Sequence, residues 1–176
     1  GGVEAILREL GGGVATFPIE QRERALETGP DRIAVAGGDG SIACVAACAG
    51  RGGKPLAVIP TGTANDFASG VGLPKSVEEA CALAVDGREL RSMELGWAGE
   101  RPFVNLASAG LSPVAAEHAD DLKGRLGALA YPLGAVRAGA TARPLRCRVD
   151  CDEQPVFEGE ALHVSIACTG PSGGLA

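Results

Sequence analysis

Apolar runs and amphipathic stretches alternate along the first half of the chain. Glu4–Leu10 has helical spacing and stops at Gly11-Gly12-Gly13. Val14–Phe17 reads as a short strand, and Glu20–Glu27 as a charged helix ended by Thr28-Gly29-Pro30. Ile33–Ala36 and Leu56–Ile59 are unbroken apolar runs, the pattern of strands buried on both faces. Between them, Ile42–Ala49 predicts a helix of small residues that Gly50 would stop. Ser76-Val77-Glu78-Glu79 is a capping box opening a helix to about Val85, with Asp86-Gly87 at its end. Short apolar strands separated by helices imply an α/β fold built on a parallel sheet. Ligands bind such sheets at the carboxyl ends of the strands, where Gly37–Ser41 and Pro60–Asp66 both fall and should face one crevice.

The pattern changes near Arg88. Leu90–Trp97 alternates with period two, and Pro102–Leu106 is its expected partner across a turn at Ala98–Arg101. Pro113–Ala138 reads as helical in two pieces. Leu145–Asp150 and Ala161–Cys168 read as strands around a turn at Asp152–Pro155. This antiparallel material predicts a division into residues 1–90 and a second domain at 91–176.

Composition narrows the function classes. A chain of 176 residues can bury a real core. Its net charge of −6, with no Lys/Arg block, argues against nucleic-acid binding and against strong electrostatic docking on anionic membranes, though not against a lipid substrate. No run of about 18 apolar residues exists, so no transmembrane segment is expected. No signal peptide is visible, but the chain opens at Gly1-Gly2 without Met, which leaves targeting open. The six cysteines form no CxxC pair and no zinc-ligand spacing. Cys44 with Cys48 would share a helix face, and Cys147 with Cys151 a strand face. Small buried residues in a reducing cytoplasm account for them, with a redox pair as the alternative.

The richest stretch is Ile33-Ala-Val-Ala-Gly-Gly-Asp-Gly-Ser41. A strand that delivers glycines to a helix N-terminus suits a polyphosphate, because the backbone can approach closely and the first helical N–H groups face the anion. Asp39 adds a carboxylate, which sits beside a phosphate only with a cation between them, so the loop suggests a nucleotide with Mg²⁺. The plain alternative is a strand–turn–helix connection without ligand. A second stretch, Val58-Ile-Pro-Thr-Gly-Thr-Ala-Asn-Asp-Phe67, also ends a strand in a polar turn. Thr63 can donate its hydroxyl to a phosphate or ribose oxygen. Asn65 and Asp66 could cap the next short helix or touch substrate, and Phe67 belongs in the core.

Taken together these stretches resemble a known family. Gly37-Gly38-Asp39-Gly40-Ser41 is similar to the GGDGT loop of the diacylglycerol kinase catalytic domain family, and Ile59–Phe67 resembles its P-x-G-T-x-N-D-F signature. That family includes sphingosine and ceramide kinases and the bacterial YegS-type lipid kinases. NAD kinases share the first loop and lack the second motif. Fainter echoes are Phe103-Val-Asn-Leu-Ala107, Gly127–Tyr131 and Gly173-Gly174.

The resemblance implies an α/β nucleotide-binding domain followed by part of an antiparallel β-sandwich domain. It implies ATP and Mg²⁺ as cofactors and phosphorylation of a diacylglycerol-like lipid by a cytoplasmic enzyme peripheral to the membrane, and it allows a homodimer. By position, Gly37, Gly38, Asp39, Gly40, Ser41, Ile42, Ala43 and Cys44 match the nucleotide loop, and Thr63 the second ATP contact. Asp39 is the residue implied in positioning the Mg-nucleotide. Ser41 stands where members carry Thr, and Ala43-Cys44 where they carry Asn-Glu. The family's first strand, with its N-P-x-S-G turn, is not among these residues. Nor is the later segment with the D-D-G motif, metal-site acids and general base, so the chain reads as a fragment. An NAD-kinase-like enzyme and a nucleotide-binding module without turnover are the alternative readings.

Other candidates point to bland roles. Gly52-Gly53-Lys54-Pro55 lacks the Ser/Thr of a phosphate-binding P-loop and reads as a surface turn. His118 and His163 have no sequence partner that suggests catalysis, and Ser108 and Ser112 lack a nucleophile elbow. Glu117, Asp120 and Asp121 read as a solvated helix face.

Overall fold

The computed structural model describes residues 2–110 and 143–168. Pro113–Ala138, Gly127–Tyr131 and Gly173-Gly174 lie outside these residues, as do Ser112, Glu117, His118, Asp120 and Asp121. Two compact units are present, Gly1–Leu106 with Ala167–Ala176, and Ala107–Ile166.

In the first unit, α1 (Gly2–Glu9) is followed by a 3-10 turn (Ile19–Gln21), α2 (Arg22–Glu27), β1 (Ile33–Gly37), α3 (Asp39–Arg51) and β2 (Leu56–Pro60). Then come α4 (Asp66–Gly70), α5 (Val77–Asp86), β3 (Gly96–Ala98) and β4 (Arg101–Phe103). The strands β1 and β2 run parallel in the register Ile33↔Leu56 to Gly37↔Pro60, so both end at the same level. The expected α/β architecture is present, a parallel pair followed by antiparallel ladders.

Alternation along the strands divides the core. Ile33, Val35 and Val58 pack with Ile42, Ala43, Val45, Ala49, Phe67 and Val104. Ile59 packs with Leu7, Ala80, Cys81 and Ala84. Ile42 and Ile59 are fully buried, each worth about 1.5–3 kcal/mol relative to exposure. Arg32, just before β1, reaches across to the end of α5 and donates to the carbonyls of Leu83 (3.3 Å), Ala84 (2.6 Å) and Gly87 (2.5 Å). A guanidinium there satisfies orphan carbonyls and opposes the negative end of the helix dipole. At the other end of α5, Ser76 Oγ accepts the Glu79 N–H at 3.3 Å, as the capping box predicts.

Several element boundaries differ from the sequence reading. The Val14–Phe17 run forms no ladder, and Val14 packs on the second core cluster instead. The Glu20–Glu27 helix is split into the 3-10 turn and α2. Only Gly96 and Trp97 of the alternating Leu90–Trp97 stretch enter a strand, β3, while Leu90 and Met93 stay exposed. That strand pairs with β4 across Gly99-Glu100, close to the expected hairpin.

The second unit contains β5 (Leu106–Gly110), β6 (Leu145–Cys151), β7 (Gln154–Ala161) and β8 (His163–Ala167), apart from the outermost residues of β5 and β8. β5 neighbours β8, and β6 pairs antiparallel with β7 from Leu145↔Ala161 to Cys151↔Gln154. The expected turn at Asp152–Pro155 is tighter than predicted. It consists of Asp152 and Glu153, both left-handed at φ 48° and 65°, the signature of a two-residue hairpin turn. The partner of β6 is Gln154–Ala161 rather than the expected Ala161–Cys168, of which His163–Ala167 forms the separate strand β8. The residues of β7 are mostly exposed, so no buried stripe marks it.

All six cysteines are free; Cys48 and Cys81 are buried, and Cys151 is exposed. Burial pushes the Cys81 thiol up, with the nearby Glu78 charge adding to the shift. No helix among the described residues is long and apolar enough to cross a membrane.

Candidate functional site

The two glycine-containing loops lie side by side at the carboxyl ends of β1 and β2. Thr61 donates its N–H to the Gly37 carbonyl at 3.2 Å, extending the ladder by one step beyond the strands. The two loops are therefore neighbours at the strand ends in the first unit, as strand order predicts.

The first loop is largely helix. α3 starts at Asp39, three residues before the expected Ile42, with Gly38 as its N-cap in extended conformation. Gly38 has no side chain to cap the first N–H groups of this helix, so the first turn can present backbone donors to an anion. Gly37 is required sterically: a Cβ there would lie 2.7 Å from Ser41 Cβ. Gly40 is different. A Cβ on it would meet nothing within 4 Å, and the residue is exposed. Nothing in the described chain asks for glycine at 40.

Of the other matched positions, Ser41 and Cys44 are half-buried. Ile42 and Ala43 lie in the first core cluster, so their side chains face the interior. Any contact these two make with a ligand comes from the backbone. Ala43 at this place is a packing residue, which explains how an apolar side chain is accommodated there.

Asp39 does not point into an empty loop. Its Oδ1 accepts the N–H of Phe67 at 2.9 Å and its Oδ2 the N–H of Asp66 at 3.2 Å. It thus caps α4 from 27 residues upstream. By sequence Asn65 and Asp66 could cap this helix or touch substrate; neither side chain caps it. Asn65 occupies the N-cap position at φ 53° but turns its side chain back into the loop. Its Oδ1 accepts the Gly62 N–H at 3.0 Å and its Nδ2 donates to the Gly62 carbonyl at 2.8 Å. Phe67 is in the core as expected. Sequence reasoning missed the Asp39–α4 and Asn65–Gly62 bonds; the only local signal was that both loops hold Asx residues, which favour backbone partners.

Thr63 is exposed and lines a cleft of about 220 Å³ together with Asn65, Ser69, Leu73, Pro74 and Lys75. Residues 37–41 are not among its walls. A second, open depression of about 480 Å³ lies between Pro74 and α5 and contains none of the matched residues. The Gly52–Pro55 stretch closes α3, as a surface turn should: Gly53, at φ 60°, donates to Gly50, and Lys54 to Ala49. In the second unit, His163 does have a partner, Ser165 Oγ at 2.6 Å, which in turn lies 3.1 Å from Ser108 Oγ. Both bonds are exposed, and no carboxylate partner of His163 is found among the described residues.

Residues 15–98 match the diacylglycerol kinase catalytic domain, a span that contains both loops and the parallel strands. This stretch belongs to the diacylglycerol kinase catalytic domain family. The chain is 36% identical over 155 residues to a probable lipid kinase YegS-like of Pseudomonas aeruginosa, covering 86% of this chain and 50% of that protein. It is 34% identical over 166 residues to a diacylglycerol kinase of Staphylococcus epidermidis, covering 93% and 51%. A crystal structure of a diacylglycerol kinase from Bacillus anthracis superposes with a TM-score of 0.58 at 26% identity, over 88% of this chain and 51% of its own. The chain spans about half the length of the curated relatives it matches.

Proposed function

We propose that this chain carries the nucleotide-binding part of an ATP-dependent lipid kinase that transfers the γ-phosphate to a hydroxyl of diacylglycerol or a related lipid. The observation that carries the reading is the pairing of loops 37–41 and 61–66 at the ends of two parallel strands, with the first turn of α3 open beside Gly40. The family membership of residues 15–98 and the lipid-kinase names of its relatives supply the reaction class.

In this reading the backbone of residues 38–41 holds the phosphates, and the Ser41 and Thr63 hydroxyls make supporting contacts. Ile42, Ala43 and Cys44 shape the floor of the loop by packing. Phosphoryl transfer depends on positioning and charge neutralisation more than on covalent chemistry, so a backbone cradle is a suitable apparatus. Mg²⁺ would neutralise the phosphates, with most of its ligands coming from the nucleotide and water. The Asp39 carboxylate has lone pairs beyond the two taken by amides and is the acid of this loop that such an ion would meet. A lipid hydroxyl is met at a membrane surface, which makes the enzyme peripheral and cytoplasmic. The division into a nucleotide domain at 1–90 and a second domain at 91–176 belongs to the same proposal, as does a homodimer.

Two measurements test it. Millimolar Mg-ATP should raise the melting temperature of this chain by several degrees, and an unchanged melting curve would remove all three nucleotide readings. Radiolabelled ATP should then transfer label to diacylglycerol in mixed vesicles. Binding without transfer to any lipid, with NAD also unlabelled, would leave a nucleotide-binding module.

A further inference from the structure

The Thr61–Asn65 loop is followed by α4, a helix of only five residues. So short a helix cannot sustain itself by its own hydrogen bonds, since most of its N–H groups have no intrahelical partner. The local capping position is spent: Asn65 is left-handed, and both polar atoms of its amide are bonded to Gly62. The two leading N–H groups of α4 are instead taken by one carboxylate from the glycine loop, Asp39. The loops are also in backbone contact, for a Cβ on Gly62 would stand 2.5 Å from Gly38 Cα. Thr63 lies between the Gly62 contact and the α4 cap, so its position is fixed from both sides.

We infer that Asp39 is a positioning residue, which acts through the Asp66 and Phe67 amides to seat the Thr61–Asn65 loop and Thr63 against the glycine loop. The inference deepens the proposed nucleotide site and rests on it for the role of Thr63; the capping itself is independent of any ligand. It gives Asp39 work to do before a nucleotide or cation arrives.

The isosteric change Asp39→Asn replaces one of the two acceptors with an N–H donor facing an N–H donor, and so separates capping from size. Hydrogen exchange on the ligand-free chain, without metal, should show the Asp66 and Phe67 amides exchanging at least tenfold faster, while Ala84 and Val85 in α5 keep their protection. Unchanged exchange at Asp66 and Phe67 overturns the inference whether or not the chain binds ATP. Titration with a fluorescent ATP analogue in Mg²⁺ supplies the second readout. Thr63→Val should weaken binding about tenfold in the parent chain and less than twofold on the Asp39→Asn background, because the loop is then already displaced. Additive losses, together with a raised Mg²⁺ requirement for Asp39→Asn, would show that Asp39 acts on the cation alone. Should Asp39→Asn fail to fold, Asp39→Glu keeps the charge and displaces the carboxylate by one methylene, and the same amides are read. An absence of binding by the parent chain would defeat the nucleotide reading and leave the exchange result to decide the capping role.

Discussion

Gly38 and Gly62 touch backbone to backbone, so that a Cβ on Gly62 would stand 2.5 Å from Gly38 Cα and 2.8 Å from Asn65 Oδ1. Gly38 precedes α3 after β1, and Gly62 lies in the loop after β2. Their contact joins two motifs that are separate in sequence. Gly62→Ala should therefore force the loops apart and cost about 1–3 kcal/mol in urea unfolding, the range for inserting a group into a packed place. A variant as stable as the parent would show that the loops yield easily.

Gly40 makes the opposite prediction. Its Cβ position is open, and the residue is in the first turn of α3. Gly40→Ala should stabilise the free chain by up to about 0.5–1 kcal/mol through helix propensity. If the open space receives phosphate, the same change should weaken Mg-ATP binding several-fold in a calorimetric titration. Stability gained with binding unchanged would show that no ligand approaches there.

Arg32 anchors the end of α5 through three carbonyls, those of Leu83, Ala84 and Gly87. Arg32→Ala should destabilise the chain by about 1–3 kcal/mol, as expected when hydrogen bonds to a charged donor are lost. Faster hydrogen exchange in the last turn of α5, with loops 37–41 and 61–66 unaffected, would localise the effect.

Ser76→Ala removes the α5 N-cap and should cost about 0.5–2 kcal/mol. Ser76 also donates to Glu78 at 2.8 Å, and this bond holds the Glu78 carboxyl below its ordinary pKa. A depressed carboxyl adds stability above its unfolded pKa and loses that contribution as pH falls through the folded value. The deficit of Ser76→Ala should accordingly narrow below about pH 4, where the carboxyl is protonated, without vanishing, because the bond to Glu79 persists. Thermal melts of both proteins from pH 3 to 7 measure it.

Thiol chemistry should follow burial. Cys151 is exposed, whereas Cys81 is fully buried with its thiol pushed up, so little thiolate forms. A chromogenic disulfide reagent at pH 8 should label Cys151 within minutes and leave Cys48 and Cys81 unmodified until urea unfolds the chain. Rapid labelling of Cys81 in the native state would show that α5 opens locally.

Local features that need only neighbours in sequence were legible. Ile33–Ala36 and Leu56–Ile59 announced the parallel pair, Ser76 announced α5, and the turn near Gly99 announced the β3–β4 hairpin. Val14–Phe17 and Leu90–Leu95 misled: Val14 packs on a core without a ladder, and Leu90 and Met93 stay exposed, so no buried face holds their alternation in a strand. The strand Gln154–Ala161 was missed because neither of its faces is buried enough to leave an apolar stripe.

The candidate site was read in the same uneven way. By itself, the sequence determined that two glycine-containing turns follow two buried strands, and that their residues are those of a diacylglycerol kinase catalytic domain. Only the tertiary structure decided that Asp39 caps α4, that Asn65 braces its own loop, that Gly38 and Gly62 are in contact, and that Ala43 is core. The reason is physical: the Asp39 cap and the Gly38–Gly62 contact depend on the register of β1 against β2, and a periodic pattern gives each strand a buried face without stating which residues of another strand lie opposite.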